Sequence, residues 1–131
     1  MRFFLDTNVI ASGTYIDGNE ARLIQALVRR SPAPATSSFV LRELDKTFRE
    51  KFGHSEADAA AAVDEVRQWV EIVAEGKPIQ LGPTSDRPVL AAAVSAKVDF
   101  LVTGDRGLLH LKRVSSTSIV RAADALRILG V

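Results

Sequence analysis

DFLVTGDRGLL, residues 99–109, is the stretch whose reading decides the fold. Phe100, Leu101 and Val102 form a short apolar run of strand-forming residues, too short for a helix and of the kind that buries both faces in a parallel sheet. Thr103 and Gly104 break the run, and Asp105 follows. An inner strand that ends by delivering a carboxylate raises the question of what meets that acid at the strand's exit.

Working outward, apolar strand-like runs alternate with helical periodicity along the whole chain. The pattern predicts strands at Arg2–Leu5, Ala33–Thr36, Glu71–Ala74, Asp99–Val102 and Thr117–Val120. Helices are expected over Glu20–Arg30, Ser38–Phe52, Ser55 to about Trp69, Arg87–Lys97 and Arg121–Leu129. The second of these carries Val40, Leu41, Leu44, Phe48 and Phe52 on one face and ends at Gly53. Ser55-Glu-Ala-Asp58 reads as a capping box with Asp in place of Glu. Residues 76–85, with Gly76, Pro78, Gly82 and Pro83, read as a loop. Strands separated by helices require crossover connections. The expected fold is therefore α/β: a three-layer α/β/α domain over residues 1–131, with a mostly parallel central sheet of four to five strands. Such sheets place their sites outside the carboxyl ends of the strands.

Composition narrows the chemistry. The 131 residues suffice for one core, and 17 basic against 16 acidic side chains are ordinary for a globular protein. No cysteine is present, which excludes disulfides, thiolate metal sites and cysteine nucleophiles. No apolar run is long enough to span a membrane, and Asp6 interrupts the N-terminal MRFFL too early for a secretory signal. A cytoplasmic protein with no membrane association is expected. The near-zero net charge hides an asymmetry: residues 55–75 carry six acids and one base, residues 106–131 five bases and one acid.

Four acids occupy positions that a parallel sheet can bring to one rim. Asp6 follows the first strand and Asp105 the fourth; Asp86 precedes an apolar helix whose first turn holds Pro88. Glu43 lies at the margin of the apolar stripe of its helix, beside Val40 and Thr47, whereas Asp45 and Glu50 read as solvated. Each acid alone has a plain structural role: turn or cap for Asp6 and Asp105, N-cap for Asp86, surface ion pair for Glu43. Together they cannot share a small space without strong repulsion unless cations neutralise it. Oxygen-only ligands select Mg²⁺ or Mn²⁺.

The same residues carry a family resemblance. FFLDTNVIASG, LRELDKTFREKF, SDRPVLAAAVSAKVDFLVTGDRGLL and SIVRAADALRIL, in that order, resemble the sequence blocks of PIN-domain proteins, and most of all the small prokaryotic PIN toxins of toxin–antitoxin pairs. The resemblance implies a metal-dependent endoribonuclease in which Asp6, Glu43, Asp86 and Asp105 are the catalytic, metal-holding acids. Asn8 and Thr103 then hold those acids in place from behind. It also implies an RNA substrate, an antitoxin protein and a homodimer. One departure stands out: many relatives carry a further acid shortly after the position of Asp105, where this chain has Arg106 and Gly107.

Cleavage by water in line would leave 5′-phosphate and 3′-hydroxyl ends, with no part for His54 or His110, which read as ordinary surface or loop residues. Candidate phosphate contacts are Arg42, Lys46, Arg49, Arg87, Arg106, Lys112 and Arg113. Tyr15 is placed in the loop after the first strand, either packed there or stacking on a base, and Trp69 in the core. The rivals are a non-catalytic PIN-like module binding RNA or protein, a DNA-directed nuclease, and a phosphotransfer protein. The last would want a second Asp where Asn8 stands, or an acidic pair at the first strand.

Overall fold

The computed structural model describes residues 1–131. The chain runs β1 (Phe3–Leu5), α1 (Thr7–Tyr15), α2 (Asn19–Leu27), β2 (Ala35–Ser37), α3 (Ser38–Glu50), α4 (Glu56–Arg67) and β3 (Glu71–Val73). A 3₁₀ turn at Thr84–Asp86 leads into α5 (Arg87–Ser95), then β4 (Phe100–Val102), α6 (Arg106–Leu111), β5 (Arg113–Val114), β6 (Thr117–Val120) and α7 (Ala122–Leu129).

The sheet has six strands in the order β3-β2-β1-β4-β6-β5. All pairings are parallel except the β5–β6 hairpin, where Val114 faces Thr117. From β1 the chain winds one way to β2 and β3, and then returns to lay β4 on the opposite side of β1. The strand order therefore reverses between β1 and β4, which are in register as Phe3–Phe100, Phe4–Leu101 and Leu5–Val102. This is the switch point at which a doubly wound sheet opens a crevice at its carboxyl rim.

The strand β1 is buried on both faces and β4 at Leu101 and Val102, with Phe100 partly covered, which explains their unbroken apolar sequence. They anchor a core of 28 residues that takes in Leu41, Leu44 and Phe48 of α3, Leu90 of α5 and Leu126 of α7. Polar groups in this interior are paired: Thr36 donates to the Leu5 carbonyl at 3.0 Å and Thr117 to the Val98 carbonyl at 2.7 Å. No buried side-chain nitrogen or oxygen lacks a partner. Of the capping box expected at Ser55, the N-cap half forms, with the Asp58 amide donating to Ser55 Oγ at 3.0 Å, whereas the Asp58 carboxylate does not return a bond to the Ser55 amide.

Three elements escape the sequence pattern. The helix α1 takes up residues 7–15, and Tyr15 ends it rather than lying in a loop. Its ring packs on Phe48, Phe52 and His54 with centroids 5.0–5.4 Å apart. The sequence TNVIASGTY lacks a clear helical stripe because Val9, Ile10 and Ala11 are all buried in succession. Its Gly13 is there for packing: a Cβ would stand 2.3 Å from Ile24 Cδ1 of α2. The six-residue α6 and two-residue β5 are too short to show a period, so the sheet gains a sixth strand over the four to five expected. Trp69 lies just beyond α4 and packs against the core while half-buried. No helix is long and apolar enough to cross a membrane.

Phe4 is fully buried at the centre of the sheet. Phe4→Ala is expected to lower unfolding free energy by about 3–5 kcal/mol, read by denaturant titration at constant m-value.

Candidate functional site

The site forms where β1 and β4 end. Asp6 continues the ladder, its amide donating to the Val102 carbonyl at 3.1 Å, and then turns the chain into α1 as N-cap. Its Oδ1 accepts the Thr7 amide at 2.7 Å and its Oδ2 the Thr103 hydroxyl at 2.7 Å. Thr103, fully enclosed, also accepts the Asp105 amide at 3.0 Å. Asp105 in turn caps α6, Oδ2 accepting the Leu108 amide at 2.9 Å. The cap roles open to Asp6 and Asp105 in the sequence are thus real, and each leaves carboxylate lone pairs over.

Asp86 behaves differently. It stands at the end of the 3₁₀ turn, directly before α5, yet its side chain makes no capping hydrogen bond. It lines the same cleft as Asp6 and Asp105. Desolvation, with repulsion from Asp105 and Asp6 behind it, pushes its pKa up to about 6. Burial likewise raises Asp6 above the ordinary carboxylate range, against the hydrogen bonds from Thr103 and Thr7, and Asp105 adds to the rise.

All four acids singled out in the sequence line one cleft of about 320 Å³: Asp6, Glu43, Asp86 and Asp105. The helix α3 forms one wall, presenting Phe39, Glu43, Lys46, Thr47, Glu50 and Lys51. Two of these are exposed side chains whose place at the cleft the sequence does not show. Glu50 reads as solvated in the sequence, and Lys51 is absent from the basic candidates, although both recur on the face of Glu43 seven and eight residues on. Asn8 is exposed and lines the cleft but bonds to none of the acids; the Thr7 amide does what Asn8 was expected to do.

The basic candidates separate. Arg42 pairs with Glu75 at 3.0 Å, and Arg49 with Asp45 at 3.1 Å. Arg87 donates to the Gly82 carbonyl and to Gln80, holding its own loop. Arg113 donates to the Ser115 carbonyl across its hairpin, and Arg106 and Lys112 do not line the cleft. Lys46 and Lys51 face it without a carboxylate partner within 4.0 Å. His54 sits in the aromatic cluster around Tyr15 and His110 is exposed; neither lines the cleft.

Five carboxylates against two lysines make the cleft strongly anionic. The donor set is oxygen only, and the crowding that raises Asp6 and Asp86 is what a bound cation relieves. The chemistry of the cleft therefore fits a hard divalent ion, although no three side chains already stand at the spacing of a ligated metal.

An acid-lined crevice at the switch point of a doubly wound sheet defines the class: an α/β protein with a carboxylate cleft at its sheet rim. The chain belongs to the PIN domain family, whose description it matches over residues 2–107. Among solved structures it is similar to VapBC2 from Rickettsia felis bound to a DNA fragment from their promoter. That match has 17% identity and a TM-score of 0.65, covering 91% of this chain and 97% of that one. VapBC-1 from nontypeable Haemophilus influenzae matches at 16% identity and TM-score 0.64, covering 94% and 99%. VapC20 from Mycobacterium tuberculosis, a Sarcin-Ricin loop cleaving toxin, matches at 21% and 0.58, covering 86% and 96%. These likenesses show the fold. No curated protein matches the chain in sequence.

The crowding has a consequence for stability. A carboxyl whose folded pKa lies above its unfolded value stabilises the fold fully below the unfolded value and loses that contribution as pH rises through the folded one. For Asp86 the window runs from the model-peptide value of 3.8 to about 6. In chelator-treated protein, Asp86→Asn is expected to raise stability at pH 7 by about 1 kcal/mol, discounted for solvent screening. The gain should vanish below about pH 4, the ordinary carboxyl range, in paired thermal melts.

Proposed function

We propose that this protein is a divalent-metal-dependent endoribonuclease and the toxin of a toxin–antitoxin pair. The observation that carries this is the convergence of Asp6, Glu43, Asp86 and Asp105 on one cleft at the switch point of a PIN-family chain. The similarity to a Sarcin-Ricin loop cleaving toxin and to two VapBC complexes supports both the reaction and an antitoxin partner. A homodimer and a cytoplasmic location go with that assignment.

Asp6, Asp86 and Asp105 would hold Mg²⁺ or Mn²⁺, with Glu43 completing the set from α3. When bound, the ion supplies Lewis acidity to a phosphodiester oxygen and lowers the pKa of a water molecule. The chain's own residues do the rest. Thr103 and the Thr7 amide fix the Asp6 carboxylate, so that its free lone pairs point into the cleft at no further ordering cost. The Asp105 carboxylate is held by α6 in the same way. Lys46 and Lys51 bind phosphates of the strand along α3 and offset the remaining negative charge. In-line attack by water would leave 5′-phosphate and 3′-hydroxyl ends.

One observation favours a second reading, a PIN-like module that binds without turnover: Arg106 and Gly107 follow Asp105 where the resemblance leads one to expect a further acid. Cleavage assays on a mixed single-stranded RNA pool separate the two, run with Mg²⁺ or Mn²⁺, with chelator, and with parallel DNA substrates. Metal-dependent cleavage, lost at least about a hundredfold in Asp6→Asn and Asp105→Asn, is the expected result. RNA binding that survives Asp105→Asn with no cleavage by the wild type would establish the binding module instead. In the same assay Lys46→Ala and Lys51→Ala should raise KM and flatten its salt dependence while leaving kcat nearly unchanged.

A further inference from the structure

Of the three cleft acids that stand directly before a helix, Asp6 and Asp105 are fixed by capping bonds and Asp86, which arrives from a loop, is not. Residues 76–85 contain no strand or α-helix, so something else must settle where Asp86 points. The loop is seated at its end. Gly82 packs beside Leu108 and Leu111 of α6: a Cβ there would lie 3.6 Å from Leu108 Cδ2 and 3.3 Å from Leu111 Cδ1. Next to it, Pro83 lies against Gly107 in the first turn of α6. A Cβ on Gly107 would stand 2.3 Å from Pro83 Cγ and 2.9 Å from Pro83 Cδ. It would also come within 3.2 Å of Asp105 Oδ2, the oxygen that caps α6.

A proline ring cannot swing aside as a flexible side chain would, because its ring atoms are tied to the backbone. Any residue larger than glycine at 107 must therefore push the loop off α6 or displace the Asp105 carboxylate. Pro83 is joined to Asp86 by the 3₁₀ turn, with the Asp86 amide donating to the Pro83 carbonyl at 2.9 Å. Movement of the ring is thus passed to Asp86 over a single turn.

We propose that Gly107 is a positioning residue: its bare backbone lets Pro83 seat on α6, and that contact sets Asp86 beside Asp105 in the cation-binding cleft. The inference rests on the cation-binding reading of the cleft and adds the residue that assembles it. It also accounts for the departure noted in the sequence, since the space of a side chain after Arg106 is filled by Pro83.

The test is a two-by-two set: wild type, Gly107→Ala, Pro83→Ala and the double variant. Mn²⁺ binding is measured by calorimetry without RNA, alongside thermal melts and crystal structures of the metal-free proteins. Gly107→Ala should weaken Mn²⁺ binding about tenfold or more, the range for residues that orient ligands. The double variant, which removes both clashing ring atoms, should return to within about twofold of Pro83→Ala alone, a coupling that independent sites do not show. Wild-type affinity in Gly107→Ala, or a loss that Pro83→Ala does not relieve, overturns the proposal. If Gly107→Ala does not fold while the double variant does, the steric contact is established, and Pro83→Ala must then itself weaken Mn²⁺ binding for Asp86 placement to stand. If the wild type binds no Mn²⁺, the cation reading fails separately. The metal-free crystal structures then decide the clamp: the Asp86–Asp105 separation widens in Gly107→Ala and recovers in the double variant, or the clamp is wrong.

Discussion

The hydroxyl of Thr103 joins the two strands on which everything else is built. It donates to Asp6 at the end of β1 and accepts from the Asp105 amide beyond β4. Parallel pairing of β1 with β4 brings these exits side by side, but pairing alone leaves two carboxylates to repel one another. The enclosed hydroxyl satisfies one acid and fixes the backbone of the other, inside a site where an unpaired polar group would cost more than the bond gains. The switch point thus becomes a rigid acidic corner.

That corner is bought with stability. Asp6 and Asp86 are both held in surroundings that favour their protonated forms, through desolvation first and mutual repulsion second. A sequence selected for stability alone would not gather five carboxylates around one cleft. Repulsion of this kind is tolerable because it sits on well-buried elements, β1 and the exit of β4. The acids from elements further out, Glu43 on α3 and Asp86 before α5, approach from separate walls.

Much of this was legible in the sequence. The apolar run Phe100–Val102 bounded by Thr-Gly, and the apolar face of Ser38–Phe52, show strand and helix directly because burial imposes a period or a run. Asp6 and Asp105 were legible as rim residues because each follows such a strand. Helix α1 was hidden because its residues are buried in succession, and α6 and β5 because they are shorter than any period. Glu50 is exposed as its sequence reads, and what the sequence does not show is that it and Lys51 border the cleft, because that depends on which element stands opposite the helix.

The sequence by itself determined the alternation of strands and helices, the parallel sheet and the two acids at strand ends, since these follow from local periodicity and chain order. Tertiary structure decided which side chains share a cleft: that Thr103 bridges two acids, that Lys51 borders the cleft while Arg42 and Arg49 pair elsewhere, and that Pro83 occupies the space beside Gly107. The physical reason is distance along the chain. Asp6 and Thr103 lie 97 residues apart and meet only because β1 and β4 pair, and no local propensity encodes a contact made by packing.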